Sequence, residues 1–379
     1  MFTDSEKESR HGAIRQILDT DGLKALLLIG DRNIGPGFLG DFRYYTNNTI
    51  IYYRQIAVLF PDSAPVLFTS SEVSSQAAVH RSFMSDCRPS YDYLSHLTEL
   101  LKERGVSKGR IGVSFEMLPV AWFGQLKQEF PQIEWVDTHE RIMQIRLQRS
   151  QAEVEAYRAG ATLADGEFEA AVNFIRPGVS EHEIVAEIEH YGRARGVEEH
   201  FTLIGSGKFA LGHPSYIYAP SHRRIEIGDC VKLEITPRYE GYWTQLNRLV
   251  SVGKCDDDLE KMQKVCCEAI QKGLEQLKPG AILKNIYLTV QCYLADCGYE
   301  LNPPGIKGGI PLGHVQGVDL AEDRLEKNAM PLKPGTSVII HPMVRTPDGK
   351  KWVVWGETYL VTADGYERLN RASDELLTL

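Results

Sequence analysis

Two domains are expected, an α/β domain over residues 1–147 and an α+β domain over residues 148–379. Three observations predict them. A chain of 379 residues exceeds what one ordinary hydrophobic core organises. Its first third alternates short apolar runs with helical spacing. From Gln151 onward, long amphipathic stretches precede runs rich in β-branched and aromatic residues.

In the first domain, Lys24–Gly30, Ile56–Phe60, Pro65–Thr69 and Arg110–Ser114 read as short buried strands. Tyr91–Lys102 and Val120–Phe130 carry apolar residues at helical spacing. The polar, basic stretch Met143–Ser150 marks the boundary. In the second domain, Gln151–Ile175 is amphipathic and ends at Arg176-Pro177-Gly178. Ser180 and Glu183 form a capping box for the next helix. Asp256–Leu277 and Ala281–Cys297 predict two more helices, separated by Pro279-Gly280. Cys230–Thr236, Tyr242–Val252, Thr336–Met343 and Trp352–Thr362 predict strands.

Composition narrows the function. A net charge of -9 argues against a nucleic-acid partner, which would need a basic face. No apolar run reaches the ~20 residues of a membrane span, and the polar start carries no signal-peptide core. Seven cysteines without a C-x-x-C pair point to reduced thiols in a cytoplasmic protein, not to a disulfide framework or zinc ribbon. Gly205-Ser206-Gly207-Lys208 lacks the spacing of a phosphate loop, and no G-x-S-x-G elbow is present.

Strand alternation sorts the polar groups. Val231, Leu233 and Ile235 point one way, and Lys232, Glu234 and Thr236 the other. Gln245 and Asn247 share a face, and His341 sits among apolar neighbours. A carboxylate or imidazole in such a strand is costly unless paired. His213, His222, His314 and His341 all stand near glycine or proline breaks. Taken singly, each of these groups is as well explained by a satisfied core histidine or a solvated carboxylate.

The segment Gly228-Asp229-Cys230-Val231-Lys232-Leu233-Glu234 is followed by Gly241-Tyr242-Trp243-Thr244-Gln245-Leu246-Asn247-Arg248. It resembles the G-D-x-V-x-x-D and G-Y-x-x-D-x-x-R motifs of the superfamily of creatinase and the Xaa-Pro and methionine aminopeptidases. Gly313-His314-Val315-Gln316-Gly317, Pro334-Gly335 through His341-Pro342, and Gly356-Glu357 before Leu360-Val361-Thr362-Ala363-Asp364-Gly365 continue the likeness. The resemblance implies a pita-bread second domain and a creatinase-like first domain. It also implies that the family's five metal-ligand positions fall on Glu234, Gln245, His314, His341 and Gly356, of which only His314 keeps the family's residue. Without bridging carboxylates, a two-metal centre is not expected, and Gln245 is a poor ligand for a transition metal.

The run from Pro237 to Arg248 resembles creatinase, which hydrolyses creatine without metal. That likeness places the histidine acid/base on His213, with His222 as fallback, and the guanidinium-binding positions on Asn247 and His341. Neither is acidic, so creatine is not the expected substrate. Arg43-Tyr44-Tyr45-Thr46 and Tyr52-Tyr53-Arg54 resemble the segment that reaches a neighbouring subunit's site, where Arg54 would grip a substrate carboxylate. Arg324 is the nearest match to a second arginine.

The leading expectation is a cofactor-free hydrolase of a C–N bond, amide or amidine, in a small carboxylate-bearing substrate, working as a homodimer. Glu234, His213, His314 and His341 would be catalytic. Gln245, Asn247, Glu322, Glu357, Arg54, Tyr52 and Arg324 would bind substrate. One alternative is a hydrolase or lyase with a single divalent metal on Glu234, His314 and His341. Another is a non-catalytic pita-bread binding module.

Overall fold

The computed structural model describes residues 2–31, 40–50, 53–209, 218–254, 256–300, 313–324 and 331–379, with the side chains of Asp323 and Arg324 excepted. Two compact units form, Met1–Leu147 with Val318–Leu320, and Gln148–Gly317 with Ala321–Leu379.

In the first unit the helices are α1 (Asp4–Thr20), α2 (Gly40–Thr46), α3 (Glu72–Arg81), α4 (Tyr93–Glu103), α5 (Val120–Glu129) and α6 (His139–Arg146). The strands are β1 (Leu23–Asp31), β2 (Arg54–Leu59), β3 (Val66–Thr69), β4 (Asp86–Pro89), β5 (Lys108–Val113) and β6 (Gln132–Asp137). They make one sheet in the order β4-β3-β2-β1-β5-β6. The two pairs around β2 are antiparallel and the outer pairs parallel. The stretches Leu26–Ile29, Ile56–Leu59, Val66–Phe68 and Ile111–Val113 of β1, β2, β3 and β5 are apolar and buried. Ala25, Leu27 and Ile29 pack with Leu97, Leu100 and Leu101 of α4 and Leu126 of α5 in one core.

The second unit opens with α7 (Gln151–Phe174) and α8 (Glu181–Arg193), each started by a capping box, Ser150 with Glu153 and Ser180 with Glu183. Strands β7 (Glu199–His200), β8 (Leu203–Lys208), β9 (Asp229–Ile235), β10 (Pro237–Tyr239), β11 (Tyr242–Trp243) and β12 (Leu246–Ser251) follow. Next come α9 (Asp257–Leu274), α10 (Leu283–Asp296), β13 (Gly313–Val315), β14 (Asp323–Arg324), β15 (Ser337–Ile340), β16 (Met343–Arg345) and β17 (Trp352–Val354). The chain ends with β18 (Gly356–Val361), β19 (Tyr366–Arg368) and β20 (Leu377–Thr378).

The main sheet runs β14-β13-β15-β18-β12-β9-β8, with β19 on β18 and β20 on β12. The apolar alternate residues Val231, Leu233, Ile235, Leu246 and Val250 bury one face against Phe168 of α7 and Ile184 and Ile188 of α8. Each such side chain contributes about 1.5–3 kcal/mol by leaving water. That burial fixes which residues the opposite face carries, since a slip of one position would turn every aliphatic residue out.

Three expected strands are broken. Tyr242–Val252 divides at Thr244-Gln245, Thr336–Met343 at His341-Pro342 and Trp352–Thr362 at Trp355. At the first break the backbone turns to exchange hydrogen bonds with the Thr358 side chain, whose Oγ1 accepts from the Gln245 N–H at 2.9 Å and donates to the Gln245 carbonyl at 3.2 Å.

Candidate functional site

The face of β9 opposite the helices carries Glu234, as alternation dictates. Across the antiparallel ladder Glu234 pairs with Asn247 of β12, and on its other side Asn247 pairs with Gly356 of β18. His341 follows Ile340, the last residue of β15, which pairs with Glu357. The register therefore sets His341 beside Gly356. At Gly356 the backbone has φ +156, and a Cβ would stand 2.0 Å from the Ile340 carbonyl oxygen and 2.8 Å from the His341 Cβ. Only glycine fits there. His314 of β13 meets His341 edge to face, with ring centroids 5.5 Å apart at 73°. One row thus crosses the sheet: Glu234, Asn247, the bare backbone of Gly356, His341, with His314 beside it.

This row keeps hydrogen-bonding capacity that the interior does not use. Glu234 makes no hydrogen bond or ion pair among the described residues, and burial pushes its carboxyl up to about 7. Burial pushes His341 down to about 4, so its ring is neutral near pH 7. Its Nε2 has no partner among the described residues, nor has either end of the Asn247 amide. Each such group costs about 1–3 kcal/mol. Lys232, two residues before Glu234, lies on the same face. It is fully buried, its Nζ sits 4.0 Å from the Trp352 ring centre, and burial lowers its pKa to about 8.

Other expected site residues are placed differently. Gln245 is buried, and its Oε1 accepts from Gln316 Nε2 at 3.2 Å. Gln316 Oε1 in turn lies 3.3 Å from Thr358 Oγ1, whose one proton it shares with the Gln245 carbonyl. Gln316 was not singled out by sequence reasoning, although its place in the Gly313–Gly317 loop was a usable signal. Glu322 does not join the row: its fully buried carboxylate is paired with Arg149. Glu357 points to the helix-covered face, one residue out of phase with Gly356, where Arg248 and Arg368 pair with it and the Tyr359 hydroxyl donates at 2.8 Å. In the first unit Arg54 pairs with Asp31 and lies 4.6 Å over the Trp122 ring. Its Nε has no partner among the described residues. Arg324 is in β14, with its backbone opposite His314. His213 and Tyr52 lie outside the described residues. His222, the fallback for His213, is exposed, with its ring 4.7 Å from that of His182.

Comparison with known proteins matches residues 155–363 to metallopeptidase family M24 and residues 10–148 to the creatinase/prolidase N-terminal domain. Creatinase from a Bacillus species is 26% identical over 365 residues, 92% of this chain and 86% of that protein. Xaa-Pro dipeptidase from Pyrococcus horikoshii is 27% identical over 265 residues, 69% of this chain and 73% of that protein. The solved Xaa-Pro dipeptidase from Bacillus anthracis superposes with TM-score 0.81 at 23% identity, over 98% of this chain and all of that one (100%). These matches show the two-domain pita-bread fold.

They also correct one expectation. A cofactor-free site was expected, but the family that matches is one of metallopeptidases, and prolidases are among the structural neighbours. The residues present do not fit that family's two-cation centre. On the motif resemblance Gln245 and Gly356 fall at bridging-carboxylate positions, and no group of three His, Cys, Asp or Glu among the described residues is close enough to hold a metal. The row offers the donor types of a one-cation set, two imidazoles and one carboxylate, but as placed the three do not converge closely enough to hold it.

Proposed function

Because the chain belongs to metallopeptidase family M24, we propose that it hydrolyses a C–N bond in a small carboxylate-bearing substrate, with one divalent cation that would draw Glu234, His314 and His341 together as its ligands. The observation that carries this reading is the His341 Nε2, which has no partner among the described residues and is buried and kept neutral beside His314. A neutral imidazole nitrogen is a metal ligand, and a protonated one is not. A bound cation supplies Lewis acidity, polarising the scissile carbonyl and making water more acidic.

The chain's own residues hold the substrate and move the proton. Asn247, in the middle of the row, binds the group being cleaved. Water adds to the carbonyl carbon, the C–N bond breaks, and the nitrogen leaves with a proton, giving a carboxylate and an amine. His213 carries that proton. Arg324, and Arg54 with Tyr52 from a second copy of the chain, take the substrate carboxylate; the unpaired Arg54 Nε–H supports this assignment. Glu322 and Glu357 hold the frame through their arginine partners. The free cysteines among the described residues support a reducing, cytoplasmic setting.

Elemental analysis of the purified chain, paired with an assay for amine release, tests this. About one divalent metal per chain is expected, with activity lost on chelation and restored by the metal. Close to two metals per chain would overturn the single-cation assignment. Full activity in a chelated, metal-free sample would do the same. Light scattering should report at least two chains, and an active monomer would remove Arg54 and Tyr52 from the site.

A further inference from the structure

Asn247 is fully buried in the middle of β12, yet neither its Nδ2 nor its Oδ1 has a hydrogen-bond partner among the described residues. Native interiors keep few such groups, and one unpaired at both ends calls for a function. An asparagine amide presents a donor and an acceptor side by side. The group that satisfies both carries a C=O and an N–H on the same edge.

No side chain stands beside Asn247 on the Gly356 strand. On one side Asn247 pairs with Glu234, and on the other with Gly356, which has no side chain. The floor of the sheet between Asn247 and His341 is therefore bare backbone, held bare because a Cβ at Gly356 would clash with His341.

Few amides qualify. An ordinary peptide bond is trans, with C=O and N–H on opposite edges. A bond to proline has no N–H at all. A ring amide is held cis, and a primary carboxamide offers the same edge. On the C–N hydrolase reading of this site, we propose that Asn247 reads the amide edge and selects a cis amide such as a lactam or cyclic ureide. Nδ2 donates to the substrate carbonyl and Oδ1 accepts from the substrate N–H. Xaa-Pro dipeptides, which lack that N–H, are poor ligands for this chain.

The test needs two small ligands. 5-Oxoproline is a carboxylate-bearing lactam, and N-methyl-5-oxoproline is the same ring without the N–H. Binding of each to the full chain is titrated by ligand-observed NMR. The lactam is expected to bind at least tenfold more tightly, the usual scale for a hydrogen bond lost with its partner left buried. Asn247→Leu is expected to bring that ratio close to one while the protein remains folded by circular dichroism. Equal affinity of the two rings for wild type would overturn the proposal. So would no binding of the lactam at millimolar concentration, or an unchanged ratio in folded Asn247→Leu. If that variant fails to fold, the wild-type comparison decides alone. Ring opening is read separately as amine release. Selective binding without ring opening would remove the hydrolase reading and leave amide-edge recognition standing.

Discussion

The two faces of the main sheet treat neighbouring residues in opposite ways. Arg248 and Glu357 point to the helix-covered face. There Glu357 is paired with Arg248 and Arg368 and accepts from Tyr359, and Arg248 also lies 4.5 Å over Trp355. One residue away on each strand, Asn247 and Gly356 point to the other face. There an amide, an imidazole nitrogen and a carboxylate lack partners among the described residues. Both faces are buried, so exposure does not separate them. What separates them is saturation: a buried charge matched by its neighbours serves the fold, and buried polar groups left unmatched are held ready for something that arrives.

The largest effect tests the saturated face. Glu357→Ala takes the close carboxylate from buried Arg248 and leaves it Asp374 at 3.5 Å, and breaking a buried pair in this way costs up to about 3–5 kcal/mol. Urea denaturation should show that loss. A change below about 1 kcal/mol would mean that the Glu357 network is not structural, and the contrast between the faces would dissolve.

Glu234→Gln makes the converse substitution. It keeps the shape and removes the charge and basicity of a carboxyl that nothing in the described structure pairs. Stability should hold or rise, because an unmatched carboxyl is removed. Amine release should fall on the order of a hundredfold or more, equivalent to about 2.7 kcal/mol of transition-state stabilisation. Near wild-type turnover would place the chemistry elsewhere.

The smallest effect lies in the first unit and sharpens the comparison with a histidine that is buried but satisfied. His11 stacks on Tyr45 at 4.0 Å, its Nε2 bonds the Tyr45 carbonyl at 3.1 Å, and burial lowers its pKa from 6.5 to about 4. The unfolded chain thus takes up this proton more readily than the folded one. The stability that the neutral ring contributes is complete above pH 6.5 and is lost as pH falls toward 4. His11→Gln should flatten the slope of stability against pH in that window. An unchanged slope would assign the acid sensitivity to other groups.

Much of the frame was legible in the sequence because it is written locally. The two-residue alternation in Val231–Ile235 put Glu234 on the face away from the aliphatic residues. The Ser180–Glu183 box started a helix, and the run of glycines, histidines and turns from Gly228 to Gly365 identified the fold. The motif resemblance also implied that Gln245, His341 and Gly356 stand where the family has carboxylates. It did not show that Glu357 belongs to the other face, because the side that a strand presents is set by its register against a partner more than 100 residues away. Nor did it show Glu322 locked to Arg149, 173 residues away. The pairing of Asn247 with both Glu234 and Gly356, which leaves the Asn247 amide without a partner among the described residues, is likewise a product of three strands meeting. Alternation is a property of one strand and can be read from its residues. Saturation is a property of all the atoms that surround a group, and only the assembled sheet decides it.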